Sequence, residues 1–171
     1  MTANDPRRTH TVLDSPLGPL TLVAVGGVLA GLYMNNQRHR PPEGPFFGEP
    51  EPADFRDVTT QLHEYFDGSR TRFTVPLQLI GTPFQKMVWN ALRGIPYGET
   101  VSYGRLAERI GRPTAARAVG LANGRNPIGV IVPCHRVVGS TGHLTGYGGG
   151  LDRKQELLAF EKENARLILQ S

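Results

Sequence analysis

The apolar positions change period along the chain. Leu20-Thr21-Leu22-Val23-Ala24-Val25 and Val28 to Met34 are two β-rich runs separated by Gly26-Gly27. A Gly-Gly pair permits the positive φ angles of a tight primed turn, so these runs predict a β-hairpin. Thr11-Val12-Leu13 offers a third strand. Residues 41–52 hold Pro41, Pro42, Pro45 and Pro50 and predict a loop. From residue 55 the period shifts towards 3.6: Phe55, Val58, Leu62 and Phe66 recur at helical spacing up to a stop at Gly68, and a strand is expected over Phe73 to Leu79.

Gly81-Thr82-Pro83 marks a boundary. Thr82 is placed to N-cap a helix, Pro83 sits in its first turn, Gln85 completes a capping box, and Phe84, Met87, Val88, Ala91 and Leu92 make one apolar face. After Ile95-Pro96-Tyr97-Gly98, Val101 to Ile110 predicts a second helix with Leu106, Ala107 and Ile110 inward. Gly111-Arg112-Pro113 ends it, and Thr114 is placed to cap a third, Ala115 to Asn123. Helix, short glycine-containing turn, helix is the helix-turn-helix plan. Asp152 is placed to cap a last helix, in which Leu157 and Leu158 face the core and Glu161 shares their face. A carboxylate there needs a partner, and His135 is the candidate. The sum is an α/β protein: a small N-terminal α/β domain with a β-hairpin sheet over residues 1–80, then a mainly helical C-terminal domain over residues 81–171 that carries the helix-turn-helix and the cysteine.

Of 171 residues 39% are apolar, ample for a packed core. The net charge of +4 is unevenly spread: residues 93–136 carry 7 basic and 2 acidic groups, against 8 and 9 in residues 1–92. Arginines leading into a candidate site point to an anionic partner. Cys134 is the one cysteine, which excludes an internal disulfide framework and every cysteine-rich zinc pattern. The longest apolar run, Leu20 to Met34, is short for a membrane span and is split by Gly26-Gly27. The polar first ten residues match neither a signal nor a transit peptide, so a cytoplasmic protein without membrane contact is expected.

Val130 to Gly139 places Cys134 beside His135, between two short apolar segments read as strands. Pro133 forces its predecessor extended, so Cys134 is expected where a strand ends and the chain turns, a place where scaffolds expose reactive groups. A lone intracellular cysteine is most often only a small buried hydrophobe. Successive side chains on a strand point to opposite faces, so Cys134 and His135 need a turn or a bridging water to cooperate. In the third helix five of nine residues are Ala or Gly and Arg117 is the only long charged group. That composition serves tight packing, or a DNA-reading helix whose arginine enters the duplex, with Arg105, Arg109, Arg112, Arg125 and Arg136 on phosphates. Asn126-Pro127 can hold a turn through the Asn side chain. Thr145 to Gly150, glycine-rich around Tyr147, lacks the ending of a phosphate loop and suits a pocket wall of bare backbone.

Ile95-Pro96-Tyr97-Gly98-Glu99-Thr100 with Ser102-Tyr103, Ala115 to Gly120, Asn126-Pro127, Pro133 to Val137, and Tyr147 to Leu151 together resemble the alkylguanine-DNA alkyltransferases, the methylated-DNA-protein-cysteine methyltransferases. The match covers about half the chain in the right order. The resemblance implies direct repair: the alkyl group on O6 of guanine moves to a cysteine sulfur, irreversibly and once per molecule, without a cofactor or metal. It implies Cys134 as nucleophile, His135 as water-relayed base, Glu161 as the group orienting it, Asn126 as brace and Tyr103 as a hydroxyl against the departing guanine. It implies Arg117 as the finger replacing the flipped base, with Tyr103, Gly104, Arg112, Ala116, Gly120, Arg125, Arg136 and Ser140 on the DNA, in the minor groove. Asn123, Val137, Tyr147 and Gly148 would line the base pocket. The implied partner is double-stranded DNA containing alkylated guanine, bound by a monomer, with cooperativity along the duplex left open. Some relatives hold zinc in the N-terminal domain; here that region offers only His10, His39 and His63 and no cysteine. Gly148 stands where some relatives carry serine. Two rivals remain: a cysteine hydrolase, which would draw its histidine from a distant part of the chain, and a non-catalytic DNA-damage-binding module.

Overall fold

The computed structural model describes residues 6–42, 44, 46–142, 144 and 146–171; Met1 to Asp5, Pro45 of the proline-rich loop and Thr145 of the glycine-rich loop lie outside them. The chain divides into two compact units: Met1–Asn36 with Arg40–Leu79, and Gln37–His39 with Ile80–Ser171.

The first unit is a four-stranded sheet in the order β3-β2-β1-β4 with one helix. Strands β1 (Arg8–Leu13), β2 (Leu20–Val25) and β3 (Val28–Met34) form an antiparallel meander. Gly26 and Gly27, at φ 58 and 81, supply the positive angles of the primed turn between β2 and β3. The loop after β3 ends in β4 (Glu49–Pro50), which lies parallel to β1 and was not expected from its prolines. Pro50 is tolerated there because β4 is an edge. A 3-10 turn, Pro52–Phe55, leads into α1 (Arg56–Phe66), which buries Val58, Leu62 and Tyr65. All six residues of β2 are buried. On one side of the sheet Val23, Tyr33 and Phe47 cluster, with Tyr33 and Phe47 stacked at 6.1 Å. The strand expected over Phe73 to Leu79 reduces to a single parallel bridge, Leu29 with Leu77, closed by Gln78 N–H donating to Leu29 C=O at 2.8 Å. Pro76 removes a donor from the middle of that segment, so no ladder can extend.

In the second unit Thr82 caps α2 (Pro83–Leu92) with the full capping box. The buried face is Val88, Trp89 and Leu92, while Met87, expected inside, is 37% exposed. The Trp89 indole N–H donates to Ala122 C=O at 2.8 Å and ties α2 to the helix that follows. The region expected as one helix from Val101 begins instead with β5 (Val101–Ser102), and Ser102 caps α3 (Tyr103–Arg109). The next helix, α4 (Ala116–Gly124), starts after Ala115, so Thr114 does not cap it. The segment before Cys134 is not a strand. Val130 sits at φ 69, a left-handed conformation that costs a β-branched residue about 1–3 kcal/mol, and the chain coils through hydrogen bonds from Val132 N to Ile128 O and from Cys134 N to Val132 O. Cys134–Arg136 is a 3-10 turn, then β6 (Val137–Val138) pairs in parallel with β5. The last helix, α5 (Leu151–Gln170), has Gly150 at its N-cap, so Asp152, expected as the cap, is instead the second residue of its first turn.

Candidate active site

Because Cys134 and His135 stand in a 3-10 turn, not a strand, their side chains are not forced to opposite faces, and both are buried. Asn126 holds this turn from outside it. Its Nδ2 donates to Val132 C=O at 2.8 Å and its Oδ1 accepts from Ile128 N–H at 3.0 Å. Asn123 at the end of α4 adds a bond from Nδ2 to Cys134 C=O at 3.3 Å.

Three residues of α5 are buried: Lys154, Leu157 and Glu161. Spaced i, i+3 and i+7, they form one stripe beneath the cysteine turn. Glu161, fully buried, accepts from His135 Nε2 at 2.8 Å and from Arg136 Nε and Nη2 at 2.8 and 3.0 Å. Burial alone would raise its pKa; the hydrogen bonds and charges of His135 and Arg136 outweigh that and hold the carboxyl well below its usual range, ionised. An ionised carboxylate fixes the proton of His135 on Nε2 and leaves Nδ1 as the free lone pair. Burial pushes the His135 pKa down, against the pull of Glu161, so the ring rests neutral and able to accept a proton. Burial also pushes the Cys134 thiol up to about 11, although Asn126 and Lys154 favour the thiolate. The resting sulfur is a thiol that needs a base.

Arg136, expected on DNA phosphates, is turned inward. It is 7% exposed, grips Glu161 with two nitrogens and donates from Nη1 to Ile95 C=O at 2.7 Å. A guanidinium so engaged is a structural strut, and the expectation of a DNA contact is corrected. Lys154 escaped notice in the sequence. Its ammonium is fully buried and donates to Val137 C=O at 2.6 Å, joining α5 to β6, and burial draws its pKa down to about 8. The i, i+3, i+7 spacing with Leu157 and Glu161 was the signal that could have found it.

Cys134 opens onto a cleft lined by Gln37, Asn123, Gly124, Asn126, Gly129, Tyr147, Gly148 and Gly149, with about 10 Å³ of space. Tyr147 and Gly148 thus stand where the pocket was expected, whereas the Val137 side chain is fully buried and does not line it. Gln37 was not anticipated. The Tyr103 hydroxyl donates to Gly146 C=O at 3.5 Å. Of the residues expected to meet DNA, Arg117 on α4, Arg112 between α3 and α4, Arg125 at the C-cap of α4 and Ser140 after β6 are exposed, and Gly104 on α3 and Ala116 and Gly120 on α4 are half-buried. Arg105 and Arg109 are exposed as well, Arg105 paired with Glu108 at 3.3 Å. Leu121, one turn beyond Arg117, is 69% exposed.

Comparison with known proteins agrees over both units. Residues 83–163 match the family described as 6-O-methylguanine DNA methyltransferase, DNA binding domain, and residues 9–79 match its ribonuclease-like domain. A methylated-DNA–protein-cysteine methyltransferase of Mycobacterium tuberculosis is 54% identical over 156 residues, 91% of this chain and 93% of that protein. One from Methanosarcina acetivorans is 49% identical over 154 residues, 89% and 97% of the two chains. The crystal structure of M. tuberculosis OGT in complex with DNA superposes with a TM-score of 0.85 at 53% identity, covering 91% of this chain and 94% of that one. No described helix is long and apolar enough to cross a membrane.

Proposed function

The chain belongs to the 6-O-methylguanine DNA methyltransferases, which repair DNA directly by moving an alkyl group from O6 of guanine to a cysteine, and we propose that Cys134 is the acceptor, served by His135 and Glu161. One observation carries this reading: Glu161 holds the neutral imidazole through Nε2 at 2.8 Å, leaving Nδ1 as a base in the turn that bears the thiol. The proton leaves sulfur for Nδ1, through one water. Sulfur then attacks the alkyl carbon, the carbon–O6 bond breaks, and the electron pair goes to guanine. Arg136 already neutralises Glu161, so the positive charge gained by the imidazole is matched by the negative charge that passes from sulfur to the guanine, which takes up a proton as it leaves; Glu161 orients the ring and favours its protonated form. Tyr103 and the backbone about Gly148 would stabilise the departing guanine as charge develops on it.

The partner is double-stranded DNA containing an alkylated guanine, bound by a monomer in the cytoplasm through the exposed side of α3 and α4. Arg117 fills the stack behind the extruded base, and Arg112, Arg125, Arg105 and Arg109 meet phosphates. Residues 81–171 carry this chemistry, and residues 1–80 form a separate α/β domain. A cleft with about 10 Å³ of space holds about one water molecule, less than a purine needs. Intact and peptide mass after incubation with an O6-methylguanine duplex tests the assignment: one methyl on the Cys134 peptide is expected, and a methyl elsewhere, or none, overturns it.

A further inference from the structure

Among the described residues two buried side-chain polar atoms have no hydrogen-bond partner, His135 Nδ1 and Asn123 Oδ1. The first is the base that takes the thiol proton. The second has no place in that chemistry. Asn123 is 2% exposed and lines the cleft beside Cys134. The orientation of its amide is fixed, because a carbonyl oxygen carries no proton: the group facing Cys134 C=O at 3.3 Å must be Nδ2, and Oδ1 is the atom left over. Buried acceptors are almost always satisfied, and an unsatisfied one stabilises whatever brings it a donor.

We infer that Asn123 is a specificity-determining residue, whose Oδ1 accepts a hydrogen bond from the exocyclic amine of the extruded base. The inference rests on the repair reading above and adds a selectivity to it. Alkylation at O6 removes the proton from N1 of guanine, so the 2-amino group is the N–H donor remaining on that edge of the base. O6-methylhypoxanthine is the same purine without that amine, and O4-methylthymine has no N–H donor on its pairing edge. Both would leave Oδ1 buried and unpaired. A site built around a hydrogen bond rejects an analogue lacking the donor more strongly than an apolar pocket rejects a change of size.

The experiment compares rates of methyl transfer to Cys134 from single-stranded oligonucleotides carrying O6-methylguanine, O6-methylhypoxanthine or O4-methylthymine, so that pairing strength drops out. The unaltered protein should prefer methylguanine over methylhypoxanthine by about tenfold to a hundredfold. In Asn123→Leu, and in Asn123→Ala should the leucine disturb folding, the two rates should converge, chiefly through loss on methylguanine. Equal rates in the unaltered protein, or a preference that survives both substitutions, would overturn the inference while leaving the repair reading intact. Absence of methyl on Cys134 from any substrate would overturn both.

Discussion

At the scale of single residues, the site sets a buried thiol against a base whose carboxylate is shared. Cys134→Ser should abolish transfer and leave DNA binding nearly unchanged, because a serine hydroxyl is too weakly acidic for this imidazole; methyl transfer by that variant, read by mass, would remove Cys134 from its role. Glu161→Gln leaves the Arg136 guanidinium buried without its counter-charge, a loss of about 3–5 kcal/mol of stability. It also removes the orienting group of His135, and transfer should slow by about a hundredfold, far more than DNA affinity falls. Affinity loss with an unchanged rate would show the relay to be misassigned. The pH dependence of stability follows from Lys154 and Cys134. The folded pKa of Lys154 is drawn down from 10.5 to about 8, so between those values the unfolded chain holds a proton the folded one has shed, and stability rises with pH. The folded pKa of Cys134 is pushed up from 9.0 to about 11, so over that range the folded chain holds the extra proton and stability falls. Urea unfolding should therefore show a rise from about pH 8 to 9, a nearly level stretch to about pH 10.5, and a fall beyond it. Cys134→Ala should extend the rise towards pH 10.5, and Lys154→Met should leave only the fall. A fall beginning at pH 8 in the unaltered protein would contradict the burial of the ammonium.

At the scale of elements, α4 presents Arg117 and Leu121 outward at successive turns, with exposed Arg125 at its C-cap, while Val119, Ala122 and Asn123 are buried. If Arg117 substitutes for the extruded base, Arg117→Ala should slow repair of duplex DNA far more than reaction with the free base, which needs no extrusion. Equal losses on both would make it a residue of the fold or the chemistry. Arg105, Arg109, Arg112 and Arg125 should act through phosphates, so the affinity of the protein for duplex falls steeply with salt, and removing a contacting charge lowers the slope by about one. An unchanged slope after all four are neutralised would place the DNA elsewhere. The hairpin, α1, α2 and the outward face of α4 were legible in the sequence because each is written in local terms: a Gly-Gly turn, a capping box, a run of small residues. What was not legible depends on long-range partners. The two-residue strand β5 exists only because Val101 meets Val137 across the chain, and no local period marks it, whereas its partner β6 falls in the apolar segment after Cys134 that was read as a strand. Arg136 looked like a phosphate contact by charge alone; only the position of Glu161, 25 residues on, turns it inward. Conversely the pairing of His135 with Glu161 was legible, since an acidic residue on the apolar face of α5 demands a buried partner.

At the scale of the whole molecule, the chemistry uses the protein up. Attack by sulfur leaves a thioether, which has no thiol-exchange route back because it is not a disulfide, and with Cys134 the sole cysteine no second thiol can take the group away. Repair should stop at one equivalent per chain. The product also changes the core. The cleft beside the sulfur has about 10 Å³ of space, and Asn126, Asn123 and the 3-10 turn are held against it by hydrogen bonds that fix their positions. A methyl group added there must displace the wall or strain the turn, and overpacking of a close-packed site costs about 1–3 kcal/mol. The alkylated protein should therefore melt lower, by about 2–4 °C for each kcal/mol lost in a chain of this size. Titrating a fixed amount of protein with excess alkylated duplex, and following repaired base and melting temperature together, separates the two statements. Repair continuing well past one equivalent would end the single-turnover reading. A melting temperature unchanged or raised at full alkylation would leave that reading standing and show that the glycine-lined wall gives way without strain.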